Sequence, residues 1–425
     1  MNRRALLILV TIVVAAGMVF ASGSSEQTAG GQKVTLTIAG RDGAYGDAMQ
    51  LAADEYSKQN PNVSFEILKL SGSNLLEKTV IDLRSGTGTY DLIMIDDPIA
   101  PRMQQAGWLA NLDEMYAAHN QKVDPDLINN VVKLGRYPYG DSGTLYALPH
   151  VGNVELFAYR TDLAEKYGYS SLDKWDQVLE LAKKMKAGES DVTPILFRGA
   201  KGNPIVTGFL PIYWSFGAKI LDNGKPAFNT PQAKNALDFF LELSKYAPNG
   251  VSMYQSAQVR DALYSGAGGV AIEVWPGWIG DLDNPEKSKV VGKVKVTNHP
   301  GEVNPSSPLI GVWLLGIPKD SKNKEEAFKF LQFVTSKTMQ REIADKTGIP
   351  PTRVSVHKDS ALVEKYPWYP AELQGLETGV ARPRTDYWSE IETALGGFLQ
   401  QALIGDLTAA QALEQTQQKV QEIIQ

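Results

Sequence analysis

Short β-branched segments alternate with helical segments along most of this chain, and that alternation constrains the fold more than any other feature. Val34–Ala39 and Val63–Leu68 have strand character, and Asp91–Ile95 is a third strand that ends in a polar Asp-Asp-Pro sequence. Helical spacing separates them, over Ala48–Gln59 and Leu75–Ser85. Strands that alternate with helices are typical of parallel βαβ units. The predicted fold class is therefore α/β.

The second half of the chain repeats this alternation. The predicted strands there are Leu156–Tyr159, Ile195–Phe197 and Val290–Thr297. The predicted helices are Trp175–Met185, Pro231–Tyr246, Lys324–Thr335, Lys337–Lys346 and the tail Tyr387–Gln425, with a break at Gly405. A chain of 425 residues exceeds what one hydrophobic core usually supports, so we expect two domains.

Polar residues follow several of these strands directly. Ligands of open α/β sheets bind beyond the carboxyl ends of the strands. Arg41 and Asp42 come after the first strand, and Asp96 and Asp97 end the third. Arg198 ends a strand of the second half. These residues are candidate ligand contacts, although paired aspartates at this position are also typical of a helix start.

Two tryptophans, Trp275 and Trp278, flank a Pro-Gly pair inside the segment Gly266–Leu282. Proline and glycine end or turn a strand, so the two indoles would be displayed at a strand end. A flat apolar face beside a few polar groups suits a sugar ring, whose C–H face stacks while its hydroxyls form hydrogen bonds. The alternative is a pair of core tryptophans on either side of a turn.

The first residues predict export. Positive charge at Arg3 and Arg4 precedes Ala5–Phe20, an apolar run, and small residues follow, as in a signal peptide cleaved after Ala21. An uncleaved N-terminal anchor is the alternative. Residues 22–33 are polar and glycine-rich, which favours a flexible linker. The chain has no cysteine, which excludes a lipid-modified cysteine, a disulfide and a cysteine-ligated metal. We therefore expect a periplasmic or extracellular protein that is not a lipoprotein.

Charge and histidine placement argue against several other classes of protein. The formal net charge is −6 and no basic block is present, so a nucleic-acid partner is not expected. The histidines are scattered without metal-ligand spacing, so neither a metal nor a cofactor is expected: His119, His150, His299 and His357. Of these, His150 is the one that could reach a ligand cleft.

Several motifs, taken in order, resemble the extracellular solute-binding proteins of bacterial carbohydrate ABC importers, the group that includes maltose-binding protein. Tyr90–Asp97 followed by Ala106–Asp113 is similar to a strand, a helix and the family's "GxLxxLD" stretch. Leu156–Leu163 is similar to a strand ending in "YNKDL", with Arg160 in place of asparagine. The motifs that follow in the family's order are Gly266–Leu282, Gly311–Pro318 and Arg382–Trp388.

This resemblance implies a two-lobed type II periplasmic-binding-protein fold with the ligand in a cleft between lobes that close about a hinge. Chain crossings would lie near His150–Val154, Thr297–Pro300 and Val334–Lys337. The N-terminal lobe would contain residues 34–149 and 301–335, and the C-terminal lobe residues 150–300 and 336–425. The implied protein is a monomer that is not an enzyme, and its partners are a carbohydrate and the transmembrane subunits of an ABC permease.

The resemblance also carries site residues over to this sequence. Asn153 stands where the family has a sugar-contacting acid, and Trp275 or Trp278 stands where it has a stacking tryptophan. Trp388 matches a second stacking aromatic, and Trp313 matches a cleft-facing turn, with core packing as its alternative. Arg382 and Arg384 could donate paired hydrogen bonds to hydroxyls or form salt bridges.

Two other functions stay open at this point. A secreted glycosidase would need a facing carboxylate pair, for which Asp96, Asp97 and Glu273 are candidates. A binding protein of the same fold could instead take a polyamine or a phosphate ester, and the arginines keep the phosphate ester open. The function that we expect is delivery of a mono- or oligosaccharide, or of a polyol, to a permease. Glu273 is included among the expected ligand contacts.

Overall fold

The computed structural model describes residues 33–425, in which helices surround two larger β-sheets, of five and four strands, and two further pairs of strands. The strands are β1 (Val34–Arg41), β2 (Val63–Leu70), β3 (Leu92–Asp96), β4 (Arg136–Tyr137), β5 (Thr144–Leu145), β6 (Ala147–Val151), β7 (Leu156–Arg160), β8 (Thr193–Leu196), β9 (Leu221–Asp222), β10 (Lys225–Pro226), β11 (Gly268–Val274), β12 (Val294–Thr297) and β13 (Trp313–Gly316). The predicted signal peptide, 1–21, lies outside the described residues, as does the predicted linker except for its last residue.

The helices connect and cover these strands. They are α1 (Ala44–Gln59), α2 (Gly72–Ser85), α3 (Ala100–Gln105), α4 (Leu112–Ala118), α5 (Asn129–Val132), α6 (Thr161–Lys166), α7 (Trp175–Gly188), α8 (Asn203–Ser215), α9 (Pro231–Ser244), α10 (Ser256–Tyr264), α11 (Pro276–Ile279), α12 (Lys324–Val334), α13 (Lys337–Thr347), α14 (Val354–His357), α15 (Ser360–Lys365), α16 (Tyr369–Thr378), α17 (Trp388–Leu403) and α18 (Ala409–Ile424). The α/β class predicted from the alternation is confirmed.

The first sheet has the strand order β2-β1-β3-β13-β6. β1 runs parallel to both β2 and β3, whereas β13 is antiparallel to β3 and to β6. Every residue from Leu92 to Ile95 in β3 is buried, which is the apolar pattern of a central strand covered on both faces. The sheet thus combines early strands with one strand from more than 200 residues later in the chain.

The second sheet has the strand order β12-β7-β11-β8. β7 pairs antiparallel with both β11 and β12, and β11 runs parallel to β8. All seven residues of β11 are buried, and the strand ends at Val274, directly before Trp275. The carboxyl ends of β8 and β11 therefore lie together at one edge of this sheet.

Three chain segments lie side by side where the polypeptide passes between the two sheets. The segment after β6 pairs with the segment before β13 through an Asn153 carbonyl that accepts from Gly311 N at 3.0 Å and a Glu155 N that donates to Leu309 O at 2.8 Å. The middle segment also pairs with the chain after α16, where Ile310 N donates to Val380 O at 3.0 Å. Backbone hydrogen bonds thus hold all three crossings together.

The third crossing is not where the sequence placed it. The prediction located it near Val334–Lys337 and assigned everything from residue 336 onward to the C-terminal lobe. In the structure α13 follows α12 after one short turn and packs against α1, on the side of the first sheet. The chain turns toward the second sheet only after α16, where α17 packs against α8. The second crossing also lies later than the predicted Thr297–Pro300. Gly301 N still donates to Asp173 O and Asn304 N to Ser215 O, beside α7 and α8, and the chain passes between the sheets at Leu309–Gly311. The rest of the predicted division into lobes stays a prediction.

Several helices were not predicted, among them α8 and α10. α8 is buried on all sides from Ile205 to Ser215 and contains Pro211, so it lacks the amphipathic stripe that marks a surface helix in a sequence. Within residues 33–425, no helix has the length and apolar character that crossing a bilayer requires.

His150, on β6, is 2% exposed, and neither of its ring nitrogens has a hydrogen-bond partner among the described residues. The sequence analysis predicted that His150 could reach a ligand cleft, but the structure places its side chain in the core. Burial lowers the pKa of His150 from 6.5 to about 4. Between those pH values the unfolded chain binds a proton that the folded chain does not, so acid weakens the fold.

We therefore expect His150→Leu to reduce the acid sensitivity of the fold. The unfolding free energy of the wild type, relative to this variant, should fall by about 3 kcal/mol as the pH is lowered from 7 to 4, because 1.36 kcal/mol corresponds to one pKa unit. Urea unfolding at a series of pH values measures this difference. A difference in unfolding free energy between wild type and variant that stays constant with pH would contradict the lowered pKa of His150.

Candidate functional site

A chamber of about 360 Å³ lies between the two sheets, and we call it the first chamber. Residues of both sheets and of the crossing line it: Arg41, Asp42, Ala44, Tyr45, Asp96, Asn153, Arg198, Asn203, Thr207, Ser256, Arg260, Trp275, Gly277, Trp278, Gly311, Trp313 and Arg382. Because the carboxyl ends of β1, β3, β8 and β11 all reach this chamber, it occupies the position at which open α/β sheets bind ligands.

Most residues predicted to bind ligand come together here, although they are dispersed over more than 270 positions of the sequence. Those that line the first chamber are Arg41, Asp42, Asp96, Asn153, Arg198, Trp275, Trp278 and Trp313. Four others do not line it: Asp97, Glu273, Arg384 and Trp388. The half-buried Trp313 side chain packs against the core of the first sheet and also reaches the chamber, so both alternatives for it describe part of its surroundings.

Tryptophans from both sheets form walls of the first chamber. Trp313 begins β13 of the first sheet, with the Arg41 guanidinium 5.8 Å from its ring centroid and the Tyr45 ring 6.2 Å away. Trp275 follows β11 of the second sheet, and the Arg198 guanidinium lies 5.6 Å from its ring centroid. These contacts orient both indoles by cation–π attraction. Two apolar walls of this kind suit the C–H faces of a ring or a polyol chain.

Gly311 gives the Trp275 indole its place in the wall. A Cβ at this position would lie 2.8 Å from Cζ3 of Trp275 and 3.1 Å from Nδ2 of Asn153, closer than real contacts allow. The Asn153 amide donates to Gly311 O at 2.9 Å and accepts from the Tyr45 hydroxyl at 2.9 Å. The crossing therefore fixes an amide at the chamber wall between the two sheets.

Glu273 does not reach the chamber and instead holds Arg198. It is 1% exposed, and its Oε1 accepts from Arg198 Nε at 2.6 Å and from the Arg198 backbone N at 3.0 Å. Thr207 also contacts both residues. Burial raises the pKa of Glu273, and the Arg198 guanidinium opposes that shift. The pair thus presents a guanidinium with a fixed direction to the chamber.

Asp96 and Asp97 have different roles, as expected for adjacent residues at a strand end, whose side chains point to opposite sides. Asp96 is the one that lines the first chamber, with its side chain 36% exposed. Asp97 is completely buried, accepting from Arg382 at 2.7 Å and from Arg384 at 3.2 Å. Arg384 also donates to the carbonyls of Asp97 and Leu134, so it anchors the chain and does not line the chamber.

Arg382 connects this ion-pair network to the first chamber. Its NH2 donates to Asp97 at 2.7 Å and to Asp96 at 3.2 Å, and its side chain is 3% exposed. Desolvation lowers the pKa of Arg382, but the two aspartates more than offset this and raise it overall. Desolvation raises the pKa of Asp96, with Arg382 acting against it. A buried charge pair of this kind is fixed in place because separating it would leave a charge without a partner.

Trp388 lies beside a second chamber, of about 510 Å³, that continues from the first. Arg41, Asp96, Asn203 and Trp313 line both chambers. Trp388 is 1% exposed and packs in the core formed around the second sheet. Its large apolar area is therefore committed to the core, and a stacking role in the first chamber does not fit its position.

The sequence did not single out several residues that line the first chamber: Tyr45, Asn203, Thr207, Ser256 and Arg260. Tyr45 lies in the first turn of α1, whereas the other four lie in the first two turns of α8 and α10. Recognising α8 and α10 as helices would have indicated them. Among residues 33–425, no group of three or more His, Asp or Glu side chains is placed to hold a metal ion.

Known proteins with similar sequences are transport receptors. The chain is 27% identical to a probable amino-acid ABC transporter periplasmic-binding protein of Sinorhizobium fredii, over 85% of this chain and 82% of the relative. It is also 27% identical to the mannitol-binding protein of Pseudomonas aeruginosa, over 90% of this chain and 92% of the relative.

A maltose-bound MalE3 protein of T. maritima has a similar structure, with a TM-score of 0.80 and 27% identity over 91% of this chain and 99% of the other. This likeness confirms the predicted two-lobed type II fold. The sequence profile of the bacterial extracellular solute-binding proteins matches residues 41–341. The predicted family resemblance is thus confirmed, and the chain belongs to the bacterial extracellular solute-binding protein family.

Proposed function

We propose that this protein is the substrate-binding component of an ABC importer and that it binds an uncharged sugar or polyol in the first chamber. It would deliver that ligand unaltered to the transmembrane subunits of the permease. A single observation carries the proposal. The chamber between the two tryptophan walls is polar, and the arginines that line it are already paired with carboxylates of the protein.

Each cation that lines the first chamber has a carboxylate partner within the chain. Arg198 pairs with Glu273 at 2.6 Å, Arg382 with Asp97 at 2.7 Å and Arg260 with Asp261 at 2.8 Å. Arg41 pairs with Asp42. A phosphate ester needs surplus cationic donors, and a polyamine needs surplus carboxylates. Paired charges favour an uncharged ligand that uses the remaining hydrogen-bonding capacity.

The chamber offers hydrogen bonds that suit hydroxyl groups. The Asn153 amide, the Ser256 hydroxyl, the Asp96 carboxylate and the paired guanidiniums supply donors and acceptors around this space. A hydroxyl both donates and accepts, so a sugar or polyol satisfies both kinds of group. The names of the two relatives that bind mannitol and maltose support this choice.

The same positions argue against a glycosidase. Of the three carboxylates considered for such an enzyme, Glu273 and Asp97 are held in buried ion pairs, and Asp96 alone reaches the chamber. A glycosidase acid and its partner carboxylate must both face the scissile bond. We therefore propose a non-catalytic monomer without nucleic-acid partners. It would be exported by the signal peptide to the periplasm or the cell exterior, without a lipid anchor.

A thermal-shift panel tests the ligand class. We expect at least one of mannitol, ribitol, glucose and maltose to raise the unfolding temperature. A ligand at 100 times its Kd adds about 2.7 kcal/mol to the unfolding free energy. We expect no shift from glucose 6-phosphate, spermidine or glutamate. Stabilisation by a charged compound alone would contradict the proposal, and so would cleavage of the sugar, detected as new reducing ends.

Trp275→Ala and Trp313→Ala test the two walls. Each should weaken binding of the stabilising sugar or polyol by about 1–3 kcal/mol in calorimetry, because each removes an apolar face from the ligand. Trp108→Ala is the matched control, since that half-buried tryptophan lies outside both chambers. Folded variants of Trp275 and Trp313 with unchanged affinity would exclude these walls from the site.

A further inference from the structure

The second chamber differs in chemistry from the first, although the two are continuous. Its walls are largely aliphatic and are made by Leu75, Leu76, Met94, Ile95, Ile99 and Met103. These side chains come from α2, from β3 and from the residues that follow β3. The opposite wall comes from the second-sheet side, through Asn203 and the first turns of α17. Like the first chamber, it therefore lies between the two sheets.

Most polar groups of the second chamber lie where the two chambers join and along α17. Ser73 and Thr79 of α2 add two hydroxyls, of which Thr79 Oγ1 already donates to the carbonyls of Leu75 and Leu76. Arg41 and Asp96 are shared with the first chamber, and Glu392 accepts from Asn203 Nδ2 at 2.9 Å. The Trp388 indole N–H is buried without an acceptor among the described residues. The deeper aliphatic surface offers no hydrogen bonds, so hydroxyl groups placed against it would lose their water without replacement.

We infer that the ligand is amphipathic: a sugar or polyol whose hydroxyl-rich part occupies the first chamber and whose apolar substituent, such as an aryl or alkyl aglycone, occupies the second. This inference rests on the proposed function and specifies the class of its ligand. The volume of about 510 Å³ accommodates such a substituent. Because the two chambers share lining residues, they adjoin, and one ligand molecule can occupy both.

The competing occupant of the second chamber is a second sugar ring. Its hydroxyls would face Leu76 and Ile99, which neither accept nor donate hydrogen bonds, and Met103, whose thioether is only a weak acceptor. An apolar group gains free energy in proportion to the apolar area that it removes from water, and a phenyl ring buries several carbon groups more than a methyl. The aliphatic wall therefore favours the aglycone over the ring.

Matched ligand pairs test this inference by calorimetry. The pairs are methyl and phenyl β-D-glucopyranoside, methyl and phenyl β-D-galactopyranoside, and mannitol and 1-O-benzylmannitol, with maltose as the two-ring comparison. In at least one pair we expect the aromatic member to bind about tenfold more tightly. We expect maltose to bind less than tenfold more tightly than methyl β-D-glucopyranoside.

Leu76→Asn locates the effect within the protein. Leu76 lines the second chamber but not the first, so the variant should lose most of the aromatic gain and keep its affinity for the parent sugar or polyol. Ile81→Asn is the control, because Ile81 is on the same helix and 61% exposed. Unfolding temperatures of both variants verify that they are folded.

The possible outcomes separate this inference from the proposed function. Parent compounds that bind without any aromatic gain would overturn the inference and leave the function in place. The same holds if maltose gains more than the aromatic compounds, or if Leu76→Asn and Ile81→Asn affect the gain equally. If none of the seven compounds binds and no sugar or polyol of the thermal-shift panel stabilises the protein, the proposed function itself fails.

Discussion

The structure depends on a simple electrostatic constraint: a carboxylate that is removed from water and stays ionised must keep a cationic partner. Glu273 and Asp97 are both buried behind the first chamber, and each binds an arginine that the chamber needs for its wall. These ion pairs fix the direction of Arg198 and Arg382, and the buried carboxylates neutralise the positive charge of both arginines. The chamber is therefore rich in hydrogen-bonding groups and still close to neutral, which is the combination that an uncharged polyhydroxyl ligand requires.

The same network connects the site to the crossings. Arg382 and Arg384 lie on the third crossing segment and bind Asp97, at the end of β3 in the first sheet. Asn153 lies on the first crossing and binds Gly311 on the second. Ligand contacts at these positions act on the segments that must change conformation if the two halves move, so binding energy can favour one arrangement over another. Contacts to both tryptophan walls would do the same.

Sequence reasoning found the parts of the site that follow a local rule. Arg41, Asp96 and Trp275 were indicated because they stand at strand ends, and the alternation of strands and helices gave the fold class. The Arg198–Glu273 pair was not foreseen, because its partners lie 75 positions apart and β8 had to be placed beside β11 first. The third crossing was misplaced because the turn between α12 and α13 looks like a boundary. Trp388 was assigned to stacking by resemblance, whereas its burial depends on the packing of α17, which the sequence does not reveal.

The proposed function depends on the charge of the ligand. Native mass spectrometry tests this directly, because it identifies the compound that the protein binds. The purified protein would be incubated with a bacterial metabolite extract, washed, and analysed for bound mass, followed by release and identification of the compound. Paired charges around the first chamber predict an uncharged, hydroxyl-rich molecule whose mass is unchanged after release. Recovery of a phosphate ester, a polyamine or an amino acid would contradict the proposed function. Each of these ligands needs unpaired charges of opposite sign in its binding site, whereas the charges around the first chamber are already paired within the protein.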